Sequence, residues 1–117
     1  MAIRWKLYQG KKVLQCDYRG LKSELSLLQL EEVTRLLMRC DDKVLLISTF
    51  EGAEIDYMFV RRVHELGKAF VREKAIKVAL VGIEHMEYVM REAYAILAGK
   101  HPSFFDSEEE ALQWLVN

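Results

Sequence analysis

The spacing of apolar and polar positions changes along the chain, and each change marks an expected element. Residues 3–8 and 13–18 have the composition of β-strands, and the polar stretch around Gly10 between them predicts a hairpin turn. From Ser23 to about Cys40 the apolar positions recur every three or four residues instead. That spacing predicts an amphipathic helix with a solvated outer face.

Two continuous apolar segments predict strands that are covered on both faces. They lie at residues 43–50 and 77–83, and neither alternates between apolar and polar side chains. A helical pattern follows each strand, at about 55–74 and 84–98, with one apolar stripe directed inward. We assign charged residues such as Arg62 to the solvated face of these helices.

The last segment predicts a short strand and a terminal helix. Residues 102–105 fit an edge strand, where a proline is tolerated. Ser107 and Glu110 fit a capping box at the start of the helix. The element order is therefore ββαβαβαβα, which predicts an α/β fold with an N-terminal β-hairpin followed by repeated β-α units. We expect a largely parallel sheet with helices packed on it.

Composition favours one globular domain over residues 1–117. Hydrophobic residues make up 51% of the chain and charged residues 30%, a normal balance for a folded domain. The net charge of -1 provides no global field for a polyanion, so we expect no nucleic-acid partner. Without a signal peptide or an apolar run of the roughly 20 residues that span a bilayer, we expect a cytoplasmic protein with reduced Cys16 and Cys40.

Several phrases, in this order and spacing, resemble the STAS-like family. That family includes anti-sigma-factor antagonists, the cytoplasmic domains of sulfate transporters and short stand-alone bacterial proteins. The phrases are YQGKKVL at 8–14, DY at 17–18, GL at 20–21, LLI at 45–47, KVALVG at 77–82 and FDSEEEALQWL at 105–115. The resemblance spans nearly the whole chain and is closest to the stand-alone bacterial members. It implies a role in regulation or protein interaction, without established catalysis.

One position departs from the pattern of that family. Anti-sigma-factor antagonists carry a phosphorylated serine at the start of the helix after the third strand, usually in an Asp-Ser-Ser-Gly phrase. Here Asp56 matches the aspartate, but Tyr57 stands where the serine belongs, so the phosphorylation switch does not carry over. Glu51, Glu54 and Asp56 would also repel a phosphate there. We interpret Asp56 as the N-cap of the helix.

The order of elements also places a candidate binding site. Open α/β sheets bind ligands beyond the carboxyl ends of their parallel strands. Here those ends carry an acidic set of residues with one histidine, which favours a basic partner over a phosphate substrate. The candidate binding residues are Thr49, Phe50, Glu51, Gly52, Glu54, Asp56, Tyr57, Met58, Gly82, His85 and Met86.

Two further interpretations concern the apolar residues near this site. One group lies on two helices that follow adjacent strands, and consists of Met58, Phe59, Met86 and Met90. These residues either pack in the core or flank a groove for a small apolar or amphipathic ligand. The second group, Trp5, Tyr57 and Tyr88, does not fit the inward stripes. An exposed cluster of these three would indicate an interface with a protein partner or within a homodimer.

Catalytic and cofactor chemistry has little support in the sequence. His85 with Glu51 or Asp56 is conceivable as an acid–base pair, but no nucleophile accompanies it, and we expect a capping or surface histidine. The stretch at 64–68 begins like a zinc-protease helix, but Lys68 takes the place of the second histidine. Gly82 is isolated and belongs to no phosphate-binding loop. We therefore expect a non-enzymatic protein with no metal or cofactor.

Overall fold

The computed structural model describes residues 2–66, 75–83 and 103–117. Within these residues the chain forms, in order, β1 (Ala2–Tyr8), β2 (Lys11–Asp17), α1 (Ser23–Arg39), β3 (Val44–Thr49), α2 (Tyr57–Leu66), β4 (Ala75–Val81), β5 (Ser103–Phe105) and α3 (Glu108–Val116). The predicted α/β fold is confirmed. The helix expected at 84–98 and the second half of the helix expected at 55–74 lie outside the described residues.

The five described strands form one mixed sheet in the order β1-β2-β3-β4-β5. Strand β1 is antiparallel to β2, whereas β2, β3, β4 and β5 run parallel to one another. The hairpin turn contains only Gln9 and Gly10, whose φ angles are 49° and 81°. Two positive φ angles match the type I′ turn, whose twist suits a two-residue hairpin. The predicted hairpin and the predicted edge position of β5 are both confirmed.

Alternating strand residues build a buried cluster on each face of the sheet. Helices α1 and α2 cover one face, where the buried cluster includes Leu14, Val33, Leu46, Phe59 and Leu80. Helix α3 covers the other face, where the cluster includes Val13, Ile47, Ala79, Leu112 and Leu115. Strand β3 is buried at all six positions because it lies between both layers. Its continuous apolar sequence is typical of such a strand.

Helices α1 and α2 lie on the same face because successive strands are added in one direction and crossovers keep one hand. An ion pair joins them, since Arg62 Nη2 of α2 lies 3.2 Å from Glu31 Oε2 of α1. The hydrogen bond from Arg62 is the main reason that the pKa of Glu31 lies below its ordinary value. Arg62, which the sequence places on the outer face of its helix, is half-buried and bridges two helices.

Candidate functional site

The carboxyl ends of three parallel strands lead into turns that contain a glycine with positive φ. These glycines are Gly20, Gly52 and Gly82, with φ of 71°, 70° and 79°. Residues that carry a Cβ rarely adopt a positive φ. We refer to residues 18–22, 50–57, 82–83 and 106–107 as the carboxyl rim. This is the edge at which the sequence places the candidate site.

The turns after β2 and β3 have the same construction. The Leu21 amide donates to the Tyr18 carbonyl at 3.0 Å, and the Ala53 amide donates to the Phe50 carbonyl at 2.8 Å. Each turn has an aromatic residue first, a charged residue second and a positive-φ glycine third, as in a type II turn. The repeated phrases YRGL at 18–21 and FEGA at 50–53 carry this signal. Sequence reasoning did not connect them.

The two turns are bound to each other. The Tyr18 amide donates to the Thr49 carbonyl at 2.8 Å, and the Gly20 amide donates to the Glu51 carbonyl at 3.1 Å. The Tyr18 and Phe50 rings stack with their centroids 4.8 Å apart and their planes within 4°. Phe59 of α2 meets both rings edge-on. The first part of the carboxyl rim is therefore anchored directly in the core.

Asp17 supplies the polar anchor beneath these turns. Its Oδ1 accepts hydrogen bonds from Arg19 Nε at 2.8 Å and from Thr49 Oγ1 at 3.1 Å, while Oδ2 accepts from Arg19 Nη2 at 2.7 Å. The Arg19 side-chain hydrogen bond is the largest cause that lowers the pKa of Asp17 to about 2. Sequence reasoning did not assign Asp17 or Arg19 to the site. The hydrogen bond between Thr49 and Asp17 fixes the end of β2 relative to β3, and Arg19 holds the Asp17 carboxylate in place.

The candidate residues at the end of β3 divide into structural and exposed groups. Thr49 and Phe50 are buried, and both are used in the contacts just described. Asp56 Oδ1 accepts a hydrogen bond from the Phe59 amide at 3.0 Å, which confirms its interpretation as the N-cap of α2. Glu51 and Gly52 are exposed on the second turn. The sequence did not indicate which of these residues turn inward.

The exposed group continues into the start of α2. Tyr57 is 75% exposed and Met58 is 53% exposed, although both are large apolar side chains. Glu54 is also exposed, and its carboxylate lies 3.7 Å from the Lys22 ammonium. Gly82 is half-buried at the end of β4. His85 and Met86, together with Tyr88 and Met90, lie outside the described residues.

The two apolar groups singled out in the sequence are not brought together in the described parts of the chain. Met58 is exposed, whereas Phe59 is completely buried, so the two side chains line no common groove. The void beneath α1 and α2 holds about 20 Å³, room for roughly one water molecule. Trp5, 43% exposed on the edge strand β1, is separated from Tyr57, which begins α2 beyond the carboxyl end of β3.

The chain matches no family model, no curated protein and no solved structure. The STAS-like resemblance therefore stays a prediction. Within residues 2–66, 75–83 and 103–117, no three His, Cys, Asp or Glu side chains are grouped to hold a metal ion. The helices of these segments include none with the length and apolar character needed to cross a membrane.

Replacement of Gly82 by alanine tests the close approach of the turns. A Cβ at Gly82 would lie 2.7 Å from Glu51 Cγ and 3.1 Å from the Glu51 amide nitrogen. At Gly10, which has a similar φ, a Cβ would meet no described atom within 4 Å. We expect Gly10→Ala to lower the free energy of unfolding by about 1–2 kcal/mol. Gly82→Ala should lower it by at least about 1 kcal/mol more, as measured by urea unfolding. Equal losses would contradict the close contact.

Replacement of Asp17 by asparagine tests the polar anchor through pH. The folded-state pKa of about 2 lies below the ordinary value of 3.8. The ionised carboxylate therefore contributes its full stabilisation when the pH is above 3.8. This stabilisation is lost as the pH falls through about 2. We expect Asp17→Asn to lower the free energy of unfolding by about 1–2 kcal/mol near neutral pH, with a difference that shrinks below about pH 4.

The measurement is urea unfolding of both proteins over a pH series. The matched control is Asp41→Asn, which changes an exposed carboxylate just before the amino end of β3. Its free energy of unfolding should differ less from that of the wild type. A difference between wild type and Asp17→Asn that is constant from neutral to acidic pH would contradict the anchoring role of the carboxylate.

Proposed function

We propose that the chain is a non-enzymatic, STAS-like protein-interaction module that binds a basic protein partner through its carboxyl rim. The observation that carries this proposal is the exposed pair Tyr57 and Met58 at the start of α2. Three carboxylates accompany this pair along the same connection, those of Glu51, Glu54 and Asp56. Such a surface combines apolar contact area with negative charge.

The apolar pair fits the centre of a protein interface. Aromatic residues and methionine are enriched in interfaces relative to the rest of a protein surface. Tyr57 supplies a rigid ring with a polar end, and Met58 supplies a flexible side chain that adapts to its partner. Covering these side chains, which are 75% and 53% exposed, would remove a substantial apolar area from water. Both residues lie in the first turn of α2.

The anchored turns support binding because they present this surface in a defined position. Asp56 fixes the first turn of α2 through the Phe59 amide, and Phe59 packs against Tyr18 and Phe50. A surface that is already ordered loses less conformational entropy when a partner binds. The carboxylates would add electrostatic attraction for a basic partner and raise the association rate.

Charge also favours a different protein over a second copy of this chain. In a two-fold symmetric dimer, a surface patch meets the same patch on its partner. Self-association through the carboxyl rim would bring Glu51, Glu54 and Asp56 close to identical carboxylates, which is electrostatically unfavourable. Regulation in this proposal comes from binding itself, since Tyr57 occupies the position of the phosphorylated serine of anti-sigma-factor antagonists.

A photo-crosslinking amino acid at position 57 tests the proposal in cells. We expect p-benzoylphenylalanine at Tyr57 to give a discrete crosslinked product with another protein. The same amino acid at Leu28, which is 53% exposed on α1, is the matched control and should not give that product. Combined Glu51→Lys and Glu54→Lys substitutions should reduce the product by about tenfold or more, because they reverse the charge around Tyr57.

The possible products distinguish the alternatives. A product with the mass of two copies of this chain would replace the basic partner by a homodimer. Equal products from positions 57 and 28, or no product from position 57, would contradict binding through the carboxyl rim. Mass spectrometry of the crosslinked band identifies the partner and the contacted segment.

A further inference from the structure

An open cavity of about 470 Å³ lies at the amino ends of the parallel strands, on the side of the sheet away from the carboxyl rim. It is formed where the amino ends of β2 and β3 meet the loop that follows α1, and Trp5 of β1 contributes to its wall. This volume is within the range of roughly 300–1,000 Å³ that is usual for small-molecule sites. None of the candidate binding residues that the structure describes lies here, but Trp5, which the sequence singled out as a possible interface residue, does.

Charges of both signs line the cavity without pairing with each other. Three lysines line it, and the Lys11 ammonium donates to the Val116 carbonyl at 3.0 Å. Lys12 and Lys43 contribute the other ammonium groups and Asp41 and Asp42 contribute carboxylates, and these four residues are exposed. The ion pairs formed among the described residues include none between these lysines and these aspartates. Both kinds of charge are therefore available to a ligand.

The end of α1 adds to the negative part of the cavity. Helix α1 ends at Arg39, and its C-cap Cys40 lines the cavity together with Asp41 and Asp42. The carbonyl end of a helix carries partial negative charge, which favours a cation nearby. The two lysines provide the complementary attraction for an anion. One ligand with both charges would satisfy both parts of the cavity.

An apolar wall completes the arrangement. The Trp5 side chain is 43% exposed and forms part of the lining, as does the buried Val44 at the start of β3. An indole ring offers an extended apolar face and stacks favourably on aromatic groups. A ligand that contacts this wall needs an apolar portion as well as its two charges.

From these three features we propose that the cavity binds a zwitterionic small molecule of the apolar α-amino acid class. The ligand carboxylate faces Lys12 and Lys43, and the ligand ammonium faces Asp41, Asp42 and the end of α1. The ligand side chain lies against Trp5. A purely anionic ligand would meet the two aspartates, and a purely cationic ligand would meet the two lysines. This inference concerns a different edge of the molecule from the proposed protein interface and does not depend on it.

A cysteine in the cavity lining can report whether a ligand is bound. Cys40 is half-buried in the lining, with its thiol donating to the Leu36 carbonyl at 3.3 Å. The other thiol, Cys16, is fully buried, and burial raises its pKa to about 12. Only a thiolate reacts readily with alkylating reagents. Iodoacetamide should therefore modify Cys40 in the native protein while Cys16 remains protected.

The test measures the rate of Cys40 alkylation in the presence of amino acids. The probes are leucine, methionine, phenylalanine and tryptophan, each compared with glycine. We expect at least one probe to slow alkylation by about fivefold or more at saturation, and glycine by less than about twofold, because glycine lacks the apolar group. For the best probe, the N-acetyl and carboxamide derivatives, which lack one charge each, should bind at least about tenfold more weakly.

Substitutions in the cavity provide the second readout. Asp42→Asn and Lys43→Gln should each weaken binding of the best probe by about fivefold or more in calorimetric titrations, since each removes a partner of one ligand charge. Lys22→Gln at the carboxyl rim is the matched control and should leave binding unchanged. Absence of protection by all four probes would overturn the proposal. Equal binding of the parent amino acid and its two blocked derivatives would also overturn it, because the charges would then play no part.

Discussion

The stacked rings of Tyr18 and Phe50 hold together the part of the molecule that carries the proposed function. Each ring begins a turn that glycine closes with positive φ, and their parallel contact at 4.8 Å requires β2 and β3 to end in register. Aromatic pairs of this kind contribute about 0.5–1.5 kcal/mol beyond the burial of their area. Phe59 packs edge-on against both rings, so the position of α2 depends on the same stack. The exposure of Tyr57 and Met58 follows from that position.

The distribution of charge explains why two acidic parts of the chain have different roles. Helix α3 begins with three glutamates, but Glu108 lies 3.7 Å from the Lys6 ammonium and Glu109 accepts a hydrogen bond from Tyr8 at 2.7 Å. At its other end, Lys77 donates to the Trp114 carbonyl at 2.9 Å and compensates the free carbonyls of the helix. These charges dock α3 on the sheet. On the carboxyl rim, Glu54 also lies 3.7 Å from a lysine, Lys22, but both of these side chains are exposed, and Glu51 is exposed on the second turn.

Much of the fold could be predicted because hydrophobic spacing reports burial directly. The unbroken apolar run of β3 indicated a strand covered on both faces, and the spacing of Leu30, Val33 and Leu37 indicated the inner face of α1. Contacts between distant segments were not predictable in this way. The bridge between Glu31 and Arg62 is an example, since periodicity separates the faces of one helix without naming the neighbour of each face.

The sequence predicted where the candidate site lies, but not which of its side chains are buried and which are exposed. The rule for parallel strands located the carboxyl rim, and the helical spacing already left Tyr57 outside the inward stripe, yet composition did not reveal that Phe50 turns inward while Glu51 remains exposed. The repeated turn phrases lie 32 positions apart, since the first begins at 18 and the second at 50. Their relation becomes evident only when β2 and β3 are known to be neighbours. The cavity at the opposite edge was missed for a similar reason, because three separate segments form it.

The central claim is that the carboxyl rim is a preformed surface, anchored by hydrogen bonds between its two turns. Hydrogen exchange of backbone amides, resolved by NMR, tests this claim most directly at Gly20, whose amide donates to the Glu51 carbonyl, and at Tyr18, whose amide donates to the Thr49 carbonyl. The account predicts that both amides exchange as slowly as those of the central strand β3. Exchange at the rate of the exposed hairpin turn at Gly10 would contradict it, since the surface would then have no fixed geometry to offer a partner.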